Sequence, residues 1–199
     1  LRRFIRRNRK NLEIKWVSNT GPFRKLLPLL KEKWEEDCLI ITTDDDTVYH
    51  KDHINNLVSD YEKYECVVGY RGFTPKISKL TDFDYHVRDK TKSINQFNFL
   101  TGKGGILYHT RFFKKTIDII FDDKIYLKYC DKQDDIWFYL MRIINDVECY
   151  IGDREWCIKD NTADGLYETY NKHENNNTKA FKRVIKKIRE TPNFSCKHF

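Results

Sequence analysis

Along this chain the apolar residues recur in some segments with a period of two residues and in others with a period of about 3.6 residues. This alternation predicts a succession of strands and helices. Residues 12–17 alternate apolar and polar side chains as a strand does, and a turn follows at residues 19–22. Apolar residues then recur at helical spacing from Phe23 to Trp34, where Pro28 should delay or kink the helix. The chain therefore begins with a predicted strand, turn and helix.

The middle of the chain continues this alternation. Leu39, Ile40 and Ile41 form a run typical of a strand buried on both faces. Helical spacing follows from Ile54 to Tyr61, another strand is predicted at residues 66–69, and residues 136–147 again have helical spacing. This rhythm predicts an α/β fold with a mainly parallel sheet flanked by helices. Residues 71–98 lack a clear period, and either a hairpin or a substrate-facing loop fits them.

Length and composition predict one domain over residues 1–199, with a basic N-terminal segment at 1–11 and a C-terminal helix at about 178–190. Hydrophobic residues make up 40% of the chain, enough for a substantial core. No apolar run approaches the roughly 20 residues that a membrane-spanning helix needs. The six cysteines form no CxxC pair, which favours reduced thiols and a cytoplasmic protein.

The net charge of +7 is concentrated in basic blocks near the two ends, at residues 1–10 and 179–189. Such blocks can bind nucleic acid or an anionic membrane surface, or they can be solvated helix faces. Acidic clusters at residues 44–46 and 134–135 argue against simple nucleic-acid binding. Peripheral membrane contact through the basic ends therefore remains as an expectation.

Three consecutive carboxylates, Asp44, Asp45 and Asp46, directly follow the strand predicted at residues 39–43. Adjacent carboxylates repel one another unless a cation lies among them. Mg²⁺ and Mn²⁺ prefer oxygen ligands, and Mg²⁺ uses one or two carboxylates together with substrate phosphates. The triplet therefore predicts a metal-bridged phosphate site, and a solvated acidic turn is the alternative.

A second pair of carboxylates, Asp134 and Asp135, lies in the first turn of the helix predicted from residue 134. Carboxylates are favoured there by the helix dipole, so a role in helix capping is one interpretation. The other is that one of the two takes the proton from an incoming hydroxyl group. Residues 102–105 add a glycine-rich turn ahead of an apolar strand, which lacks the pattern of a P-loop or a dinucleotide-binding motif.

The order of four short motifs resembles a known family. These motifs are Gly-Pro-Phe-Arg-Lys-Leu at residues 21–26, Asp-Asp-Asp-Thr-Val-Tyr at 44–49, Gly-Gly-Ile-Leu-Tyr at 104–108 and Asp-Asp-Ile-Trp at 134–137. Together they resemble nucleotide-sugar glycosyltransferases of the GT-A fold that carry a DXD motif, of the type found in bacterial surface-polysaccharide synthesis and in large algal viruses. The resemblance covers about residues 12–165.

The resemblance implies a Rossmann-like GT-A domain that lacks the first nucleotide-binding strand and helix, since few residues precede the first motif. It implies that Asp46 and Asp44 bind Mn²⁺ or Mg²⁺, with His173 as a third ligand. It places Asp44 and Asp45 near the nucleotide and Lys25 near the phosphates of a nucleotide diphosphate sugar. A viral enzyme of this type would act in the host cytoplasm.

The same resemblance implies that Gly104 and Gly105 line the sugar pocket and that Asp135, or its neighbour Asp134, is the catalytic base. Trp137 is expected either to stack on a sugar or to lie in the core. The implied reaction is an inverting transfer of the sugar to a hydroxyl group of a glycan or glycoprotein acceptor. Specific nucleic-acid partners are not implied.

Two other classes of function fit the same residues. A metal-dependent nucleotidyltransferase or nuclease would also combine carboxylates with basic ends, and it would hold two metal ions at residues 44–46. A carbohydrate-binding module without catalytic activity would have no need of a metal or a base.

Overall fold

A computed structural model describes residues 10–89, 92–160, 175–191 and 196–198 of the chain. It is a mixed α/β structure. The principal sheet has five strands, which are β1 (Leu39–Thr42), β3 (Val67–Gly69), β6 (Ile94–Asn95), β8 (Ile106–His109) and β9 (Cys149–Ile151). Their order across the sheet is β1-β8-β3-β9-β6.

The strand directions differ from the mainly parallel sheet that the sequence predicts. Only the β3–β9 pair is parallel among the four described pairs of this sheet, and β8 runs antiparallel to both β1 and β3. As a result β1, β3 and β9 point the same way while β8 and β6 oppose them. Hydrophobic periodicity identifies strands but not their directions, because a strand buried on both faces has the same pattern in either direction.

Two smaller sheets accompany the principal one. Strand β2 (Thr47–Tyr49) pairs with β10 (Cys157–Asp160), and β4 (Gly72–Pro75) lies between β5 (Arg88–Asp89) and β7 (Phe99–Leu100). The patternless region at residues 71–98 therefore contains short strands and a 3₁₀ turn at Leu80–Asp82. Such short strands leave little alternation for sequence reasoning to detect.

Six α-helices lie in the described parts of the chain: α1 (Leu27–Glu32), α2 (His53–Tyr64), α3 (Ile117–Ile120), α4 (Asp123–Tyr129), α5 (Asp134–Ile144) and α6 (Asn176–Arg189). The helices predicted after residues 53 and 133 and near 178–190 are confirmed. A 3₁₀ segment at Gly21–Lys25 precedes α1, and Pro28 occupies the first turn of that helix. Proline thus delays the start of the helix, because an α-helix accommodates proline in its first turn but not in its interior.

Helices cover both faces of the principal sheet. Val67 and Ile106 point into the larger hydrophobic cluster, which includes α5 and α6, whereas Val68 and Leu107 pack with Leu57 of α2 on the other face. Alternate residues of a strand face opposite sides, so both sides of β3 and β8 are buried. The centre of the sheet is therefore packed on both sides.

The strand predicted at residues 12–17 is wrong. These residues belong to no strand in the structure, and Trp16 is 95% exposed. An alternating pattern gives a strand only where a neighbouring strand satisfies its backbone hydrogen bonds, and here no described strand lies beside it. The expected burial of β1 on both faces also fails at its start, where Leu39 is 37% exposed at the sheet edge.

Membrane-spanning helices are absent from the described parts of the chain, where every helix is too short or too polar to cross a bilayer.

Candidate functional site

The acidic triplet and the glycine-rich turn meet at one end of the sheet. Thr42 at the end of β1 is paired with Ile106 at the start of β8, since the two strands are antiparallel. Residues 44–46, which follow β1, therefore lie beside residues 102–105, which precede β8. The Tyr49 hydroxyl joins them, because it accepts a hydrogen bond from the backbone N–H of Asp44 (2.8 Å) and donates one to the carbonyl oxygen of Lys103 (3.0 Å).

Lys25 brings a third segment into this site. Its Nζ lies 2.5 Å from Oδ1 of Asp44 and 3.8 Å from Oδ2 of Asp134. Burial lowers the pKa of Lys25, but the carboxylates of Asp134, Asp135 and Asp44 together raise it above its usual value. The ammonium group therefore stays protonated. We call Asp44, Asp134 and Asp135 around Lys25 the carboxylate cluster.

The first turn of α5 supplies the other two members of the carboxylate cluster. The backbone N–H of Gly102 donates a hydrogen bond of 2.8 Å to Oδ1 of Asp135. Burial raises the pKa of both Asp134 and Asp135. The nearby charge of Asp134 raises the pKa of Asp135 further, to about 7, although Lys25 and the Gly102 N–H oppose the shift. A carboxyl group with a pKa near neutrality can both accept and release a proton at physiological pH.

The rest of the acidic triplet is more open. Oδ1 of Asp46 accepts a hydrogen bond from the Thr47 hydroxyl (3.2 Å), and its Oδ2 lies 3.5 Å from Nζ of Lys103. The Asp46 side chain remains 42% exposed, and Asp45 is exposed to solvent. Asp46 can therefore accept a further cation without a rearrangement of the core.

The three glycines of the turn have different neighbours. A Cβ atom on Gly102 would lie 2.9 Å from Nζ of Lys25 and 3.1 Å from Oδ1 of Asp135, so this glycine borders the carboxylate cluster. A Cβ on Gly104 would lie 2.4 Å from Cβ of Arg71, and one on Gly105 would lie 2.3 Å from Nε2 of His53. Gly104 and Gly105 thus allow close packing, whereas Gly102 is the glycine in contact with the charged groups.

His53 is an unusual buried group behind this turn. It is 2% exposed, and neither ring nitrogen has a hydrogen-bond partner among the described residues. Its ring stacks on Tyr49 with 4.8 Å between ring centroids. Burial lowers the pKa of His53, which keeps the imidazole neutral. Its position fixes Tyr49, which in turn connects the acidic triplet to the glycine-rich turn.

One residue named from the sequence, Trp137, falls outside this site, and another cannot be placed. Trp137 is 0% exposed, and its Nε1 donates a hydrogen bond to the carbonyl oxygen of Ile120 (3.1 Å). It is therefore a core residue, and the proposed stacking on a sugar is excluded in this conformation because no face of the ring is accessible. His173 lies outside the described residues.

Three residues of the site were missed as site residues: Gly102, Tyr49 and Lys103. Gly102 and Lys103 belong to the glycine-rich turn, and Tyr49 follows the acidic triplet by three positions. The sequence could have pointed to these three residues because they lie in or beside the short motifs. Sequence alone could not distinguish which glycine borders the charged groups, since that depends on the packing of Arg71 and His53.

Gly105→Ala is expected to destabilise the fold by roughly 2 kcal/mol or more, because the residue has a φ of +71° and the new methyl group would overlap His53. Chemical denaturation would measure the change. Gly21→Ala is the matched control, since Gly21 has a similar φ of +63° but a less severe contact. Its new Cβ would lie 3.3 Å from the nearest atom, the carbonyl oxygen of Asp131, compared with 2.3 Å at Gly105. Equal losses in the two variants would show that backbone strain, rather than contact with His53, determines the requirement for glycine.

No set of three or more His, Cys, Asp or Glu side chains within the described ranges is arranged to hold a metal ion. Asp44 and Asp46 by themselves do not make up such a set. This is compatible with Mg²⁺, which commonly uses one or two protein carboxylates and completes its coordination with water and phosphate oxygens.

Comparison with known proteins adds no relative: no protein-family model matches the chain, and no curated protein is significantly similar to it.

Proposed function

We propose that this chain is a metal-dependent glycosyltransferase of the GT-A type, which moves a sugar from a nucleotide diphosphate sugar to a hydroxyl group of a glycan or glycoprotein. The observation that carries the proposal is the convergence of Asp44, Lys25 and Asp135 beside Gly102, from three separate segments of the chain. These are the types of group that bind a diphosphate and accept a proton.

Asp44 and Asp46 are the proposed ligands for Mn²⁺ or Mg²⁺. Both fit the group, since they provide hard oxygen donors and Asp46 is 42% exposed. Ammonium groups already pair with both carboxylates, Lys25 with Asp44 and Lys103 with Asp46, so a divalent cation would have to share or displace these contacts. When bound, the cation would offset the negative charge that develops on the leaving diphosphate.

Lys25 is the proposed contact for the diphosphate. Its charge is retained, because the surrounding carboxylates raise its pKa. An ammonium group near the departing phosphate stabilises the negative charge of the transition state more than that of the donor. The nearby carboxylates also hold Lys25 in place before the donor binds.

Asp135 is the proposed base in an inverting displacement. It would take the proton of the acceptor hydroxyl while that oxygen bonds to the anomeric carbon, and the sugar–phosphate bond would break with its electron pair leaving on the diphosphate. The hydrogen bond from Gly102 to Oδ1 orients the carboxylate. Its pKa of about 7 matches this task better than that of an ordinary, solvated aspartate.

Mn²⁺ is expected to bind the wild-type chain at least 10-fold more tightly when uridine diphosphate or guanosine diphosphate is present, because the phosphates complete the coordination of the ion. Asp46→Asn is expected to remove most of this enhancement. Titration calorimetry of Mn²⁺ with and without each diphosphate measures both effects. A thermal-shift screen of nucleotide sugars with Mn²⁺ would then identify the donor, since ligands that bind only the folded state raise the melting temperature.

Asp118→Asn provides the control for this titration, because Asp118 is an exposed carboxylate on α3. It should bind Mn²⁺ as the wild type does. Binding of two ions without any diphosphate would instead favour the nucleotidyltransferase or nuclease alternative. If the chain binds sugar equally well with and without Mn²⁺, and if neither Asp46→Asn nor Asp135→Asn changes that binding, a carbohydrate-binding module is favoured.

A further inference from the structure

Helix α6 presents a strongly cationic face. Its 14 residues, Asn176–Arg189, include no acidic side chain. Its apolar residues Ala180, Phe181, Val184, Ile185 and Ile188 are all buried against the core. The lysines and arginines are left to occupy the outer face, since the apolar stripe is fully used by folding.

Three of these cationic residues line a cleft beside the 3₁₀ turn at Leu80–Asp82. The cleft has a volume of about 460 Å³. Its lining consists of Leu80, Thr81, Lys182, Ile185, Lys186, Arg189 and Glu190. The cationic residues recur at intervals of four and three positions, so they form one row roughly 10 Å long on the same side of α6. We call this feature the α6 cleft.

Positive charge exceeds negative charge in the lining of the α6 cleft, where three cationic residues accompany one carboxylate. Lys182, Lys186 and Arg189 form no ion pair within the described residues, although Glu190 contributes one carboxylate to the lining. Elsewhere the fold does pair such groups, as Lys115 and Lys197 do with Asp146. Lys186 and Arg189 lie in the last turn of α6, where the helix dipole favours cations, so the helix tolerates this row. The row presents three positive charges along one cleft, an arrangement that attracts an anionic ligand.

We propose that the α6 cleft binds the phosphate of an anionic phospholipid headgroup and thereby holds this face of α6 against a negatively charged membrane surface. Clusters of lysine and arginine on an amphipathic helix are attracted to anionic lipids by this electrostatic mechanism. Leu80 and Ile185 lie buried beneath the cleft, so the groups that a ligand would meet are the three cationic side chains, Thr81 and Glu190. This inference is independent of the proposed transferase activity.

Nucleic acid fits the α6 cleft less well. Proteins that bind single strands usually combine cationic grooves with aromatic side chains on which bases stack. No aromatic residue is among those that line the cleft. The cleft therefore lacks the stacking surface that single-stranded nucleic acids use.

Sedimentation with lipid vesicles tests the proposal. Wild-type protein should sediment with vesicles of phosphatidylcholine and phosphatidylserine, and not with vesicles of phosphatidylcholine alone. The triple variant Lys182→Glu/Lys186→Glu/Arg189→Glu should bind the anionic vesicles roughly 100-fold more weakly or worse, since each basic residue contributes substantially near such a surface. The neutral variant with glutamine at the same three positions should lose binding to a smaller extent.

The matched control is Lys31→Glu/Lys51→Glu/Lys63→Glu, which changes the net charge equally at exposed positions on other parts of the fold. It should retain binding to within about threefold, because attraction to the surface decays over a Debye length. Melting curves would confirm that all variants fold, as expected for exposed side chains.

Three results would overturn the proposal. One is equal loss in the two triple glutamate variants, which would reflect net charge alone. Another is equally strong binding of wild-type protein to neutral vesicles. The third is a failure to bind anionic vesicles combined with binding of another anion through the same three residues. That anion would be duplex DNA, or inorganic phosphate measured by titration calorimetry.

Discussion

Asp135→Asn is expected to reduce sugar transfer by roughly 100- to 10,000-fold and, at the same time, to raise the melting temperature. The loss of activity follows because an amide cannot accept the proton of the acceptor hydroxyl. The hydrogen bond from Gly102 is retained, since the side-chain oxygen of asparagine is also an acceptor. The geometry of the carboxylate cluster should therefore survive the substitution.

The gain in stability follows from the raised pKa. Burial and the charge of Asp134 raise the pKa of Asp135 to about 7 from a usual value of 3.8, so the folded chain holds a proton there that the unfolded chain releases. The stability that this proton contributes is complete below the unfolded pKa and is lost as the pH rises through the folded pKa. The wild type therefore carries the full penalty of the buried charge above about pH 7.

Asparagine removes this penalty, so the variant should be more stable than the wild type by roughly 1 to 3 kcal/mol at pH 8, or about 2–10 °C in melting temperature. The difference should shrink towards pH 4. Thermal melting at both pH values, together with diphosphate release from the donor found by screening, measures the two effects. Substitution of a catalytic residue often lowers activity while it raises stability, because the residue is kept for function at a cost in stability.

Asp131→Asn is the control, because Asp131 is an exposed carboxylate just ahead of α5. It should change neither the transfer rate nor the melting temperature. A loss of activity below 10-fold in Asp135→Asn would exclude Asp135 as the base, even if Mn²⁺ binding is normal. An asparagine variant less stable than the wild type at pH 8 would contradict the assignment of a buried, destabilising charge.

The sequence carried much of the information on local structure. The run Leu39, Ile40 and Ile41 predicted β1, and the first turn of α5 was correctly placed at Asp134. These predictions succeeded because hydrophobic periodicity reports local burial. The strand at residues 12–17 failed for a different reason, since its pattern is local but a strand requires a partner that the pattern does not specify.

The arrangement of the site was less accessible from the sequence. The motifs named three of the segments, and the structure brings Asp44, Lys25 and Asp135 of these segments together. Periodicity could not reveal that β8 runs antiparallel to β1, which is what places Gly102 beside these side chains. It also could not separate Gly102 from Gly105, because that distinction depends on where His53 packs.

Lys25→Met is expected to destabilise the fold by about 2–4 kcal/mol at pH 8, because it leaves the carboxylate cluster without its cation. The side chains of Lys25 and Asp44 are each 23% exposed and that of Asp134 is 11% exposed, so solvent compensates only part of the loss. Removal of one partner of a buried ion pair costs more than the pair contributes, since the other charge remains buried. Denaturant unfolding measures the change.

A double variant separates electrostatics from packing. Lys25→Met/Asp134→Asn should recover a large part of the stability lost in Lys25→Met, since one of the unpaired charges is removed. The defect of the single variant should also diminish at pH 5, because carboxyl groups with raised pKa values then bind protons. Lys33→Met is the control, because Lys33 pairs with Glu36 on the surface and its loss should leave the melting temperature unchanged.

The alternative result has a definite meaning for the site. If Asp134→Asn does not rescue Lys25→Met and acid does not reduce the defect, then Lys25 stabilises the fold through its aliphatic stem rather than its charge. The carboxylates would then tolerate one another without a cation, which requires them to be better solvated than their burial indicates. In that case the reason for a divalent cation at Asp44 would also weaken, since charge repulsion within this cluster is what favours its binding.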